Sequence, residues 1–302
     1  MTRPRQILPG QFWMITRRCT QRQFLFRPDE RMNNAFLYCL IEAAQMYDVR
    51  LMLSQMMSNH HHTDVFDPHG VIVEFYQRFH TSLAKCVNAL RGRWENAFAT
   101  ESTSLVELVD VDDVIDKLVY TATNPVKDGL VEKTHQWPGP RTVAALFNGK
   151  TLRATRPEYL FRDDGPMPDV VEVKLEIPAE LGDPAKILER VRAGCVIVEE
   201  TAASQRAKTN RKVVGRGRVL RQSWRASPET EAPHRGLRPR VAARNKWKRI
   251  ERLQSERGFQ DEYATARKRW LAGEDVVFPA GTYWLRRFAN VRTEPISTTK
   301  TY

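Results

Sequence analysis

The sequence predicts an α+β protein, and three observations carry that expectation. Short runs rich in aromatic and β-branched residues alternate with longer stretches whose apolar residues recur at three- and four-residue steps. The first 125 residues order these runs as β-α-β-β-α-β with one more helix behind them. Such an order implies a ferredoxin-like antiparallel sheet with helices on one face.

The elements follow from local chemistry. Pro9-Gly10 signals a turn, and Gln11 to Thr16 reads as a first strand. Arg27-Pro28-Asp29 opens a helix that should run to about Tyr47, with Met32, Phe36, Leu40 and Ala44 on one apolar face. Val49 to Met57 is a second strand. A turn at Ser58-Asn59 leads to a third, which carries three histidines and ends near Phe66. After Asp67-Pro68-His69-Gly70, a second amphipathic helix begins near Val71, with Ile72, Phe75, Phe79, Leu83 and Val87 in step. Thr103 to Val109 is a fourth strand. Asp110 and Asp112-Asp113 suit the positive end of a third helix, expected from Val111 to Asn124 and stopped by Pro125.

Beyond Trp137-Pro138-Gly139-Pro140 the chain changes character. Val170 to Ile177 alternates cleanly, and Asp183-Pro184 should open a short helix ending near Gly194. From Arg206 to Arg249 there are fifteen Lys or Arg against two acids, Glu229 and Glu231, in a run broken by glycine and proline that reads as loop-rich. A helix from Arg244 to about Ala272 and an apolar element from Val276 to Leu285 complete the chain. The expected organisation is a first unit over 1–147, a mixed strand and helix extension over 148–205, and a basic loop-rich and helical region over 206–302.

The formal net charge of +12 favours a polyanionic partner, nucleic acid or an acidic membrane surface. No run of about 18 apolar residues occurs, and no helix sets a basic face opposite Trp and Leu, so a membrane is not expected. Four cysteines far apart, with no C-x-x-C pair, suggest neither a disulfide framework nor a zinc ribbon. A reducing cytoplasm is the expected setting, and the charged N-terminus lacks the apolar core of a secretory signal.

Two groups of residues are candidates for chemistry. His60 and His62 point to one face of the third strand and His61 to the other, because side chains alternate. Two imidazoles on one face begin a divalent metal site, though a fortuitous cluster at a strand edge explains them equally well. On the third helix, Tyr120 and Asn124 are four apart and share a face. Tyrosine is a competent nucleophile and a carboxamide a competent metal ligand. The plain alternative is a half-buried tyrosine and a helix-ending asparagine.

Together these groups resemble a known family. Leu8-Pro9-Gly10, Thr16-Arg17-Arg18 and Arg22-Gln23-Phe24-Leu25-Phe26 are similar to the opening of the HUH-type single-tyrosine transposases, closest to the REP-associated tyrosine transposases. Met57-Ser58-Asn59-His60-His61-His62 occupies the place of that family's Met-Pro-Asn-His-hydrophobic-His strand. Tyr120 through Val131 fits its Tyr-x-x-x-Asn-Pro-Val-(Arg/Lys)-x-Gly-Leu-Val helix, and Trp137-Pro138 its aromatic-proline ending. The resemblance spans about residues 7–145. His61 stands where the family has a bulky apolar residue, so it must be hydrogen-bonded or destabilise the core. Ser58 replaces proline.

The resemblance implies the fold of an HUH endonuclease and a DNA-nicking and strand-transfer enzyme. Tyr120 would attack single-stranded DNA to give a 5′-phosphotyrosine, with Mg²⁺ or Mn²⁺ held by His60, His62 and Asn124. Single-stranded or hairpin DNA is the implied partner, a homodimer is compatible with the family, and the location would be cytoplasmic, at the nucleoid. Phosphate contacts are expected from Arg17, Arg18, Arg22 and Lys127. A track of Arg211, Lys212, Arg216, Arg218, Arg221 and Arg225 is expected too, with Trp224 for base stacking. Competing readings are a catalytically silent or domesticated DNA-binding protein on the same fold, and a basic protein whose histidines bind metal for structure only. For the basic run itself, a solvated, poorly ordered surface is the plain alternative.

Overall fold

The computed structural model describes residues 4–230 and 239–296. Strand β1 (Gln11–Arg18) follows the Pro9-Gly10 turn, where Gly10 takes a φ of +75°. Helix α1 (Glu30–Tyr47) starts where the Asp29 carboxylate accepts from the Met32 amide, satisfying one of the free donors of the first turn. Strands β2 (Arg50–Met56) and β3 (His60–Asp67) form an antiparallel hairpin. The Asp67 carboxylate accepts from the amides of His69, Val71 and Ile72, and so launches α2 (Ile72–Arg91). Strand β4 (Ser104–Leu108) leads to α3 (Val111–Lys127), which begins with a reciprocal capping box between Asp110 and Asp113.

The chain continues through α4 (Thr142–Asn148), β5 (Thr151–Thr155), β6 (Val170–Lys174), α5 (Pro184–Thr209), α6 (Arg216–Arg221) and β7 (Val241–Ala242). It closes with α7 (Lys246–Leu271), β8 (Val277–Phe278), α8 (Trp284–Phe288) and β9 (Arg292–Thr293). The main sheet runs β2-β3-β1-β4-β7. Its first four strands are antiparallel neighbours, while β7 pairs parallel with β4. The fold is therefore α+β, and the purely antiparallel sheet expected from sequence is corrected to a mixed one. A two-residue strand depends on the neighbouring edge rather than on its own pattern.

A second correction concerns the helices. His61 on β3 packs against Phe36 of α1 and Phe79 of α2, whereas His62, its neighbour, packs against Tyr120 of α3. Since adjacent strand residues face opposite ways, α1 and α2 cover one face and α3 the other. The expectation of helices on one face thus holds for two of the three. The reason is burial: the buried Val114, Ile115, Leu118 and Ala122 of α3 cover the face that α1 and α2 leave open.

Two helix ends also differ. Pro125 does not stop α3, which runs to Lys127. This far along, the missing amide removes only one bond of the last turn. Gly194 does not end α5. A Cβ there would lie 2.6 Å from Val119 Cγ2, so the glycine is the close-contact point between α5 and α3. The segment expected to be loop-rich contains the end of α5, α6 and the start of α7; its residues 231–238, including Glu231, lie outside the described residues. Among the described residues no helix is long and apolar enough to cross a membrane.

Candidate active site

The register of β3 against β1 and β2 sets the site. Thr16 and Gln55 flank His62 on either side, and α3 lies over that face. His62 Nδ1 is 2.8 Å from Thr16 Oγ1, and its Nε2 is 3.4 Å from Asn124 Nδ2. An amide nitrogen only donates, so Nε2 is the acceptor, and the ring proton sits on Nδ1, given to the threonine. That hydrogen bond orients the imidazole from behind, the arrangement that metal-binding histidines need. His60 Nδ1 is 2.7 Å from Asn59 Oδ1, and the two rings stand 4.9 Å apart between centroids. Burial, assisted by the Arg18 charge, lowers His60 to about 4, against an opposing pull from the neighbouring Asn124 carboxamide. Burial holds His62 well below the ordinary histidine range, with His60 next in effect. Both imidazoles are neutral at pH 7, as metal ligands must be.

Tyr120 meets His62 edge to face, with ring centroids 5.1 Å apart at 78°. Burial raises its phenol above 10, and Asp128 raises it further, while a hydrogen bond with Asn124 pulls the other way. The Lys127 ammonium stands 4.8 Å from the Tyr120 ring centre and that of Lys117 5.6 Å. Asn124 thus touches His60, His62 and Tyr120, and its Oδ1 is buried without a hydrogen-bond partner. Two neutral imidazoles and an unpaired carboxamide oxygen suit a divalent cation, which would take over the His62 Nε2 lone pair that the Asn124 amide now occupies. Among the described residues no three His, Cys, Asp or Glu side chains are grouped to hold a metal ion, so the carboxamide would have to be the third protein ligand.

No family model matches the chain, and no curated protein matches it. A solved structure of a REP-associated tyrosine transposase bound to a REP hairpin is similar, with 16% identity and a TM-score of 0.42. The likeness covers 49% of this chain and 87% of that one.

The basic residues singled out by sequence are dispersed. Lys127 lies beside Tyr120. Arg17 stands 5.1 Å over the Phe98 ring and donates to the Glu101 carbonyl, and Arg18 reaches the Glu101 carboxylate at 3.5 Å. Arg22 donates to the Thr230 carbonyl. Arg211, Lys212, Arg216, Arg218 and Arg221 are exposed on and before α6. Trp224 is half-buried against the main core, with Arg225 4.9 Å over its ring, so only part of the indole surface is open.

The structure adds a residue the sequence reading passed over. Asp64 follows His60 and His62 on the same strand face, fully buried, with neither carboxyl oxygen hydrogen-bonded. Burial pushes it up to about 8, against the opposing pull of nearby Thr121 and Lys117. Even spacing from His62 was the available signal; its isolation is visible only with α3 in place.

His61, on the opposite face, is explained. Its Nδ1 is 3.0 Å from Thr63 Oγ1 and its Nε2 3.0 Å from His80 Nε2, in a pocket walled by Phe26, Phe36 and Phe79. Burial, with His80 beside it, keeps it neutral, and the polar side chain is satisfied inside the core.

Proposed function

We propose that this protein is a single-tyrosine DNA strand nuclease and strand transferase. The carrying observation is that residues sixty positions apart, His60 and His62 on β3 and Tyr120 and Asn124 on α3, converge within hydrogen-bonding and ring-contact distance. Four strands ordered β2-β3-β1-β4, reached through the sequence β-α-β-β-α-β, support reading the first 127 residues as the ferredoxin-like arrangement of such enzymes.

In this reading Tyr120 Oη forms a bond to the scissile phosphorus and the bond from phosphorus to the 3′-oxygen breaks. The strand is left with a 5′-phosphotyrosine, and the phenolic proton lost is balanced by the one gained at the 3′-oxygen. His60, His62 and Asn124 would hold Mg²⁺ or Mn²⁺, which supplies charge stabilisation to the phosphate oxygens. Thr16 fixes the His62 tautomer, Asn124 hydrogen-bonds the phenol, and Lys127 offers a cation to the phosphate. Reversal, with a 3′-hydroxyl attacking the phosphotyrosine, rejoins strands without a nucleotide cofactor. DNA, single-stranded or as a hairpin, is the partner of this reading, which is compatible with a homodimer and with a place at the nucleoid. A catalytically silent DNA-binding protein is the second reading; burial raises the Tyr120 phenol, so its proton is harder to remove than that of a free tyrosine.

The test uses labelled single-stranded hairpin DNA and Mn²⁺. The wild type should form an adduct that survives denaturant, and Tyr120→Phe should form none. An adduct that persists in Tyr120→Phe sinks the assignment of the nucleophile, and no adduct in the wild type favours the silent reading.

A further inference from the structure

A cleft of about 1060 Å³ opens beside the site, between α1, α4, α5 and α6, and the chemistry above leaves it unused. It adjoins the catalytic face, since Gln55, the β2 residue that pairs with His62, lines it. Its volume is just above the range for sites that enclose small organic ligands, about 300–1,000 Å³. Trp137, Pro138, Phe147 and Leu220 supply apolar and aromatic wall.

Two polar observations narrow the occupant. Asn33 and Thr134, both lining the cleft, each carry a buried side-chain oxygen with no hydrogen-bond partner. The Asn33 amide nitrogen is already committed to the Pro138 carbonyl at 2.8 Å, so its Oδ1 is an acceptor that wants a donor. At the rim, Arg141 and Arg216 are exposed and make no ion pair or hydrogen bond through their side chains among the described residues. Of the acids lining the cleft, Asp29 is paired with Arg27 and Arg91, and Glu199 accepts from the Thr134 amide, leaving Glu30 alone against two free cations.

We propose that this cleft takes one nucleotide, with its base against Trp137 and the Arg192 guanidinium that lies 5.0 Å over the Phe147 ring, a base N–H on Asn33 Oδ1, and its phosphate on Arg141 and Arg216. A base offers a flat apolar face and donors on its edge, and a phosphate is the anion that guanidinium groups hold best. The shared chemistry is a nucleoside monophosphate, which is either an unstacked residue of a DNA strand or a free mononucleotide. In its strand form the proposal rests on the DNA-processing reading above; in its free form it does not.

The experiment measures binding by the full chain to a single-stranded oligodeoxynucleotide carrying 2-aminopurine at successive positions, and to dAMP, dCMP, dGMP and dTMP separately. Ala144→Trp, on the exposed α4 wall, fills the cleft, and Arg141→Gln removes one rim cation. The expected result is a fluorescence change confined to one strand position, with affinity reduced at least about tenfold in Ala144→Trp, the loss of one stacked base, and reduced also in Arg141→Gln. Competition by mononucleotides alone marks the free form; a strand signal that they do not displace marks the strand form. Undiminished affinity in both variants, or no binding of either probe by the wild type, overturns the proposal. A Tyr120 adduct that forms while both variants bind normally overturns the cleft alone, and nucleotide binding without any adduct leaves the cleft standing.

Discussion

His61 and His80 should behave as one unit, and a double-mutant cycle measures this. The perturbation is His61→Leu, which puts a bulky apolar residue of similar volume between His60 and His62. It removes the bonds to Thr63 and to His80. Thr63 keeps a partner in Ser54 Oγ at 2.8 Å, so the group left stranded is His80 Nε2. A buried polar group without its partner costs about 1–3 kcal/mol. His80→Leu strands His61 Nε2 by the same logic, and its other bond, to Thr103 at 3.4 Å, is long and weak. With both replaced no donor or acceptor of the pair remains, so the double variant should be close to the wild type. Urea unfolding of the four proteins at pH 7.5 should show the double variant less destabilised than the sum of the singles by at least ~1 kcal/mol, within the usual ~0.5–3 kcal/mol for residues in contact. Additive single effects, or a His61→Leu protein more stable than the wild type, would refute the claim that a satisfied hydrogen bond is why histidine is tolerated there.

Two further predictions follow from burial and close contact. Burial, with Arg17 nearby, lowers His80 to about 3, whereas the unfolded chain takes up that proton near 6.5. The folded state therefore binds fewer protons, and stability should fall as pH drops from 6.5 toward 3, by up to ~1.4 kcal/mol per pH unit. Unfolding midpoints of His61→Leu/His80→Leu should show a flatter dependence over that window, and an unchanged slope would count against it. Gly194→Ala sets a Cβ 2.6 Å from Val119 Cγ2 and should lower stability by roughly 1–3 kcal/mol in thermal melts. Val119→Ala in the same chain should recover part of that loss, and strict additivity would argue that α5 and α3 shift apart freely.

The pairing of His60 with His62 and of Tyr120 with Asn124 was legible because it rests on local rules, while the meeting of the two pairs was expected only from the family resemblance. Alternation on a strand and four-residue spacing on a helix decide which side chains share a face, whatever the distant chain does. What was not legible is set by partners far away in sequence. Element order does not say which face the helix after the last strand covers, and α3 went opposite α1 and α2. Glycine reads as a helix stop, yet at 194 it marks where another helix presses closest. The bond that excuses His61 comes from His80 on α2, nineteen positions along, and the isolation of Asp64 exists only beneath α3.

The basic segment shows the same dependence. It ties both halves of the site together. The amides of Val214 and Gly215 donate to the carbonyls of Gly129 and Leu130, just past α3, at 3.0 and 2.8 Å. Farther on, the Phe24 amide donates to the Ala226 carbonyl and Ser227 Oγ to the Gln21 carbonyl, each at 2.9 Å. That loop in turn holds the turn before His60, through the Phe26 amide on the Ser58 carbonyl and Asn59 Nδ2 on the Arg22 carbonyl. Between these anchors Val219 is fully buried with Met57, Val126, Val131 and Trp137, residues that flank the histidine strand and the tyrosine helix. Val219→Ala deletes two methyl groups, about 1.6 kcal/mol at ~0.8 each, and leaves a cavity that brings the cost to about 2–3 kcal/mol. If the segment braces the site, native-state hydrogen exchange should quicken by about 30- to 160-fold at the amides of Val214, Gly215 and Gly129, and at Phe26 across the anchor. Faster exchange in α6 alone would mean that the segment rides on the site without holding it, and the arginines of α6 would then have no fixed position relative to Tyr120.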